Sequence, residues 1–527
     1  MEKKSHGPAA GRPGWTRLTL TALACAALVV AAAGIGAAGG GKAAKKAAIG
    51  IDATLTPLEL LGKYVFFDKI SSPARMACVT CHLPETGGTG GVAGVNLHQV
   101  AITGADPHTV GNLKPPTNAY ASFIETFKPC NRGGLGPRNV CGGNFWNGRS
   151  EGNAFDDLVF PAGAAKHIGE EIFFKTNGDP LPDAVAAYAV YFGPTADQAL
   201  NPMPNPVEQN IDRKAVCNHV KSAKYAPLYK RAWGVALDCS DTPVKEKADD
   251  VAEERAYDIS FKRIMLAVCA WQDSEDLNSF SSKRDRALAA DPDGGFPLEG
   301  LTAQENLGHD LFYNTKPAPF APEAGNNIRP FPDLPITNCS FCHTSGPRVG
   351  VAPALLGTDP LERYTDDAYH IIGTPRNPEI PESRDANGNI IDPDLGVRGH
   401  AGDPYPPGFF KTPTLRNVDK RKGAGFPKAY THNGWFKSLE SIVHFYNTSA
   451  IGLATANSFG VTRCPPDIVT EKDALANNCW PEPAYPGAST ILIGNLGLTL
   501  EQEAAIVAYL KTLTDEHTAV APKPYKK

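Results

Sequence analysis

Methionine is nearly absent from this chain. Its 527 residues hold four, Met1, Met76, Met203 and Met265, so nothing after position 265 can offer a methionine sulfur to a metal. The body of the chain has no long basic stretch and the net charge is −5, which excludes the electrostatic footprint of a nucleic-acid partner. Neither of its two C-x-x-C pairs has another close by, which argues against a four-sulfur zinc knuckle. One long apolar run, residues 18–38, follows Lys3, Lys4, Arg12 and Arg17. It reads as a secretory signal, with small residues at 31–38 for cleavage, or as an uncleaved anchor. Glycine (51) and proline (46) are abundant, which predicts long ordered loops over a modest helical framework. At this length, with 42% apolar residues, the chain has material for two or more cores.

Four of the twelve cysteines fall in two pentapeptides, Cys78-Val79-Thr80-Cys81-His82 and Cys339-Ser340-Phe341-Cys342-His343. In C-x-x-C-H the two thiols add to the vinyl groups of a haem and the histidine ligates the iron. Each pentapeptide follows a similar phrase, Leu61-Gly62-Lys63-Tyr64-Val65-Phe66-Phe67 and Leu307-Gly308-His309-Asp310-Leu311-Phe312-Tyr313, which makes an internal repeat. The expectation is two covalently bound c-type haems with His82 and His343 as proximal ligands. Thioether attachment is completed outside the bacterial cytoplasm, so the expected location is the periplasm, with anchoring to the inner membrane by the N-terminus left open. An oxidising compartment favours disulfides. The short-loop pairings are Cys130–Cys141, Cys217–Cys239 and Cys464–Cys479, although sequence alone does not fix connectivity. Cys269, in an apolar helical stretch, reads as a buried free thiol.

The fold class expected is mainly α, with two cytochrome c-like haem domains and long loops. Residues 1–47 are leader or anchor plus linker, 48–295 the first haem domain, 296–515 the second, and 516–527 a loose tail. Thr56 and Pro57 open a helix as N-cap and first position. Thr302 caps another, and residues 498–513 form an amphipathic helix with a capping-box start. Residues 246–290 are helical, with Ile259, Ile264, Leu266 and Val268 suited to the core, and a helix lies near 182–192. Asp291-Pro292-Asp293-Gly294-Gly295 marks the boundary between halves.

Taken in order, several phrases resemble the bacterial di-haem cytochrome c peroxidase/MauG family. They are residues 62–68, Asn144-Phe145-Trp146-Asn147-Gly148-Arg149, the segment from Gln198 to Glu208, Lys411-Thr412-Pro413-Thr414-Leu415-Arg416-Asn417-Val418 and Tyr430-Thr431-His432-Asn433-Gly434. Residues 155–196 interrupt the pattern as an insertion. The resemblance implies peroxide chemistry at the N-terminal haem, with Glu208 as distal acid–base and Gln198 and Pro202 beside it. It implies Trp146 as an electron relay between the haems. Tyr446 lies 14 positions after His432, where the peroxidases carry a methionine ligand and MauG-type proteins a tyrosine. His444, on the same helix, is the alternative ligand. His98, 16 positions after His82, is a gating ligand of the first iron or a loop histidine, and His108 is less well placed. The family's calcium site has an Asn where this chain has Lys114, and an ammonium there would repel or replace the ion. Electrons would come from a small redox protein (a cytochrome c or cupredoxin) or from a protein or organic substrate. Two rival readings are a non-catalytic di-haem electron carrier, closed by His98 and Tyr446, and an O2-using haem oxygenase relative.

Overall fold

A threonine followed three places later by a carboxylate or amide starts each of three framing helices. Thr56 accepts from the Glu59 backbone N–H and Glu59 accepts from that of Thr56, and the same exchange joins Thr302 to Glu305 and Thr499 to Gln502. In this computed structural model the described residues are 55–130, 140–152, 168–244, 254–290, 297–314, 331, 333–343, 362–381, 383–384, 390–391, 395–401, 405–449, 460–485 and 493–526. The helices that position the sites are α1 (Pro57–Phe67), α2 (Cys78–Cys81), α3 (Ala256–Asp273), α4 (Ala303–Tyr313), α5 (Cys339–Cys342), α6 (Leu439–Thr448) and α7 (Leu500–Lys511). Strands among the described residues are two-residue ladders. One of them pairs Tyr369 with Lys411 and His370 with Phe410.

The internal repeat is a packing device. A Cβ on Gly62 of α1 would stand 1.8 Å from the Ala267 carbonyl oxygen of α3. A Cβ on Gly308 of α4 would stand 1.9 Å from the Ala505 carbonyl oxygen of α7. Only glycine lets each pair of helices approach this closely. Around the first crossing, Leu58, Leu61, Val65 and Phe66 pack with Phe261, Ile264 and Trp271. Around the second, Leu311, Phe312 and Tyr313 pack with Val443, Phe445, Ile506 and Tyr509. Each such apolar side chain removed from water contributes about 1.5–3 kcal/mol.

The helix expected near 182–192 is Asp183–Ala186 continued by tighter 3-10 turns, Ala187–Tyr191. The described part of the insertion packs into the first core through Ile168, Ile172 and Val185. Arg263 of α3 holds it by donating to the carbonyls of Ile172 (2.8 Å) and Phe174 (2.7 Å). The tail after Glu516 was expected to be loose and is instead held against the first half. The Tyr64 hydroxyl donates to the Lys523 carbonyl at 2.5 Å, and Tyr525 packs edge-on against Tyr64. The three short-loop disulfides are formed, and Cys269 is buried outside any disulfide, its thiol donating to the Tyr191 carbonyl at 3.4 Å. The leader at 1–47 and the break at 291–295 lie outside the described residues.

Candidate functional site

In both halves a four-residue helix ends on the histidine of the pentapeptide. His82 caps α2, its N–H bonded to the Cys78 carbonyl, and His343 caps α5, its N–H bonded to the Cys339 carbonyl, both at 3.0 Å. His82 Nδ1 lies 3.0 Å from the Gly88 carbonyl and His343 Nδ1 lies 2.9 Å from that of Tyr364. A carbonyl only accepts, so each Nδ1 carries the proton and each Nε2 keeps its lone pair for a metal. Burial is the main cause that holds both imidazoles below the ordinary histidine range, which keeps them in the neutral, ligating form. Burial also pushes the thiols of Cys78 and Cys339 up to about 11.

The first cavity, about 210 Å³, is lined by Cys81 and His82 together with Trp146, Arg149, Gln198 and Glu208. Gln198 and Glu208 therefore share one chamber with His82. Glu208 is accessible only in part, and what it faces is the cavity, with protein packed around it. Desolvation raises its carboxyl above the ordinary range against the opposing pull of Arg149 and Asn205. Asn205 Nδ2 donates to Glu208 Oε1 at 2.7 Å and so fixes the carboxylate's orientation. Pro202 is not brought to the cavity wall. Its carbonyl instead takes the Gln209 N–H at 3.1 Å. His98 is not brought there either: its side chain is 65% exposed and its Nδ1 pairs with Glu379 at 3.1 Å. His108 is exposed.

The second cavity, about 240 Å³, is lined by Cys339, Cys342, His343, His370, His432 and Tyr446. Tyr446 reaches it from α6, which Ser438 caps. Burial is the leading cause that raises its hydroxyl well above the ordinary tyrosine range. His444, the alternative ligand, turns the other way and bonds Glu503 at 3.0 Å. His432 is stacked on Phe410 at 3.5 Å and burial pushes it down to about 3, so it is neutral. Lys114, Lys411, Arg416 and Lys428 line this cavity, and no Asp or Glu does so among the described residues. A mostly apolar chamber with surplus positive charge, two thiols and a free imidazole nitrogen fits haem, whose two propionates are anionic. The first cavity's lining offers one thiol, Cys81, beside His82, and Cys78 opens the same four-residue helix, so this set also suits haem. Cys342, Asp366 and His370 also converge within 4.8 Å; a thioether at Cys342 would leave only the His370–Asp366 pair, at 2.7 Å.

Trp146 lines both cavities. The left-handed backbone of Phe145, φ 64°, turns the chain so that the next side chain enters the gap. The indole N–H donates to the Lys114 carbonyl at 2.8 Å, and the Trp146 carbonyl accepts the Lys411 N–H at 2.9 Å. Lys114 also lines both cavities, with Nζ donating to Thr89 Oγ1 at 2.7 Å. Burial brings its ammonium down to about 8. This position does not fit calcium, because its side chain brings a cation and no oxygen donor.

Sequence reading did not assign roles to Arg149, Asn205, Lys411 or Lys428. Arg149 and Asn205 sit inside the quoted phrases, and the offset of three between Asn205 and Glu208 was the available signal. Lys428 carries no signal, because only the fold brings it to the second cavity.

Residues 57–293 match the family model described as di-haem cytochrome c peroxidase. Over 462 residues, 87% of this chain and 88% of the relative, the sequence is 27% identical to the methylamine utilization protein MauG of Paracoccus denitrificans (strain Pd 1222). The fold is similar to that of the diheme peroxidase BthA from Burkholderia thailandensis E264, with TM-score 0.50, 19% identity and 90% and 88% of the two chains covered. A tyrosine-to-methionine variant of BthA gives TM-score 0.52, 20% identity and coverage of 88% and 87%.

Proposed function

Because the chain belongs to the di-haem cytochrome c peroxidase/MauG family, we propose that it is an exported di-haem c-type peroxidase. It consumes H2O2 at the N-terminal haem and passes oxidising equivalents through Trp146 and the C-terminal haem. The observation that carries this reading is the placement of Glu208 in the chamber of His82 while Trp146 borders that chamber and the next. Haem would be held by Cys78, Cys81 and His82 in one pocket and by Cys339, Cys342 and His343 in the other, and would supply the redox-active iron for peroxide reduction and electron transfer. Glu208 takes a proton from H2O2 and returns it to the oxygen that leaves as water, and its raised carboxyl makes it a stronger base for the first transfer. Asn205 keeps one carboxylate oxygen oriented, and Arg149 balances the buried charge. Overall, H2O2, two electrons and two protons give two waters.

Tyr446 is the ligand proposed for the second iron, now that His444 points at Glu503. A tyrosine oxygen favours oxidised iron, which tilts the reading toward oxidation of a protein or organic substrate. A small redox protein, cytochrome c or cupredoxin, is the alternative donor. The two haem domains are taken as 48–295 and 296–515. No helix of the described residues is long and apolar enough to cross a membrane. Three disulfides support an oxidising compartment, the periplasm.

The test is optical and EPR spectroscopy of the ferric protein before and after one equivalent of H2O2. The expected result is a high-spin signal from an open first haem that peroxide consumes. Two low-spin signals that peroxide leaves unmoved, even after half-reduction, would make the protein an electron carrier. Reaction with O2 in place of peroxide would favour the oxygenase reading.

A further inference from the structure

We infer that the Lys114 ammonium is a cation built into the chain between the two haem pockets, standing where a calcium ion would otherwise sit and holding haem carboxylates. The inference rests on the two-haem reading above. Four cationic side chains line the second cavity, and they divide into two kinds. Arg416 forks onto Asp285 at 2.8 and 2.9 Å, and Lys411 lies 3.6 Å from Asp367. Lys114 and Lys428, 7% and 4% exposed, have no carboxylate within ion-pair reach among the described residues. Lys114 donates to the Thr89 hydroxyl at 2.7 Å and, at the long distance of 3.4 Å, to the Pro115 carbonyl. Lys428 donates to the carbonyls of Thr86 and Lys420, both at 2.9 Å, and of Asn417 at 3.4 Å.

A buried ammonium with only neutral acceptors is costly to the fold unless an anion arrives. Burial lowers both groups, and Lys114 adds to the lowering of Lys428. Both residues line the second cavity, through which an anion can reach them. Two features make Lys114 the shared one. Lys114 lines both cavities, whereas Lys428 lines only the second. The Lys114 backbone is clamped, the N–H on the His432 carbonyl at 2.8 Å and the carbonyl on the Trp146 indole at 2.8 Å. An ammonium has three donors and no lone pair, and it occupies the Thr89 hydroxyl, so it excludes calcium while supplying positive charge itself. A fixed positive charge near both irons favours their reduced forms and raises both potentials.

The test uses the full-length holoprotein. Haem content comes first: fewer than two haems per wild-type chain would overturn the proposed function and, with it, this inference. With two haems present, calcium measured by elemental mass spectrometry is expected to be far below one per chain, and EGTA to leave the spectra unchanged. Spectroelectrochemistry of Lys114→Met is expected to show both midpoint potentials lowered, and Lys114→Arg to restore them. Stoichiometric calcium in the wild type, or unmoved potentials in a Lys114→Met protein that retains both haems, overturns the inference. If Lys114→Met does not fold, Lys428→Met gives the decision. A fall confined to the C-terminal haem supports the carboxylate-holding role, and no fall overturns it.

Discussion

Around His82 and around His343 the chain makes the same sequence of moves. A threonine-capped helix crosses a later helix through a glycine, and a four-residue helix then ends on the histidine. The histidine's Nδ1–H then donates a hydrogen bond to a backbone carbonyl. The far walls of the two cavities share nothing of this kind. The first presents Glu208, oriented by Asn205 and balanced by Arg149. The second presents Tyr446 and a neutral His432 among four cations, with no carboxylate in its lining among the described residues. Attaching a haem needs one local geometry, so that part is repeated. What each iron then does depends on loops that the repeat leaves free, and these differ.

The comparison breaks most sharply at Glu208. Replacing it with Gln preserves shape and the bond from Asn205 but removes the base. The rate of reaction with H2O2 in stopped flow is expected to fall about 10²–10⁴-fold, the usual contribution of a positioned acid–base group. The wild-type rate should decline as pH drops, because protonated Glu208 cannot accept a proton. Its raised carboxyl places that decline above the ordinary carboxylate range. Glu208→Gln should lack this acid limb. Tyr446→Phe is the mirror experiment: the spectrum of the second haem changes and the peroxide rate stays within a few-fold. An equal loss from both variants would mean that the two walls share one task.

The shared side is tested by Gly62→Ala and Gly308→Ala. Each new Cβ would meet a backbone carbonyl oxygen, at 1.8 and 1.9 Å, so each helix pair must part. Overpacking of this kind costs typically about 1–3 kcal/mol, and backbone contact places both at or above the top of that range. Urea unfolding of both variants should show losses of similar size. A large loss at one glycine alone would show that the two crossings are not equivalent.

The shared side was also the legible side. The pentapeptides, the repeated phrase before them, the threonine caps and the disulfide pairings are all local in sequence, and local geometry follows from local residues. The cavities were legible only where a phrase or a spacing pointed to them: Glu208, Gln198 and Trp146 line the first chamber, and Trp146 and Tyr446 line the second. Pro202, inside one of the phrases, and His98, placed only by its spacing from His82, stand off the cavity walls, because a loop's path is set by what it packs on. Lys428 was invisible because its partners, the carbonyls of Thr86, Asn417 and Lys420, come from distant parts of the chain. The tail was misread for the same reason. Its composition is that of a loose end, but Tyr64 supplies a partner 459 residues away.

His98 gives the smallest expected effect and the finest probe of the distal difference. Its loop is pinned on both sides. Asn96 Nδ2 donates to the carbonyls of Gly90 (2.7 Å) and Pro427 (2.9 Å), and Val100 is fully buried beneath Gly434. The His98 carbonyl also accepts from Lys437 at 3.1 Å and Asn377 at 3.2 Å. Only the ring is free, and it is spent on an exposed pair with Glu379, worth about 0–1 kcal/mol. To ligate the first iron, the loop would have to give up several backbone bonds for one nitrogen–iron bond. His98→Ala should therefore leave the EPR spectrum of the ferric protein and its reactivity with peroxide unchanged, before and after half-reduction. A first haem that is low-spin in the wild type and high-spin in the variant would put His98 on the iron. It would also add a gate to the side of the molecule where the two haem regions already differ.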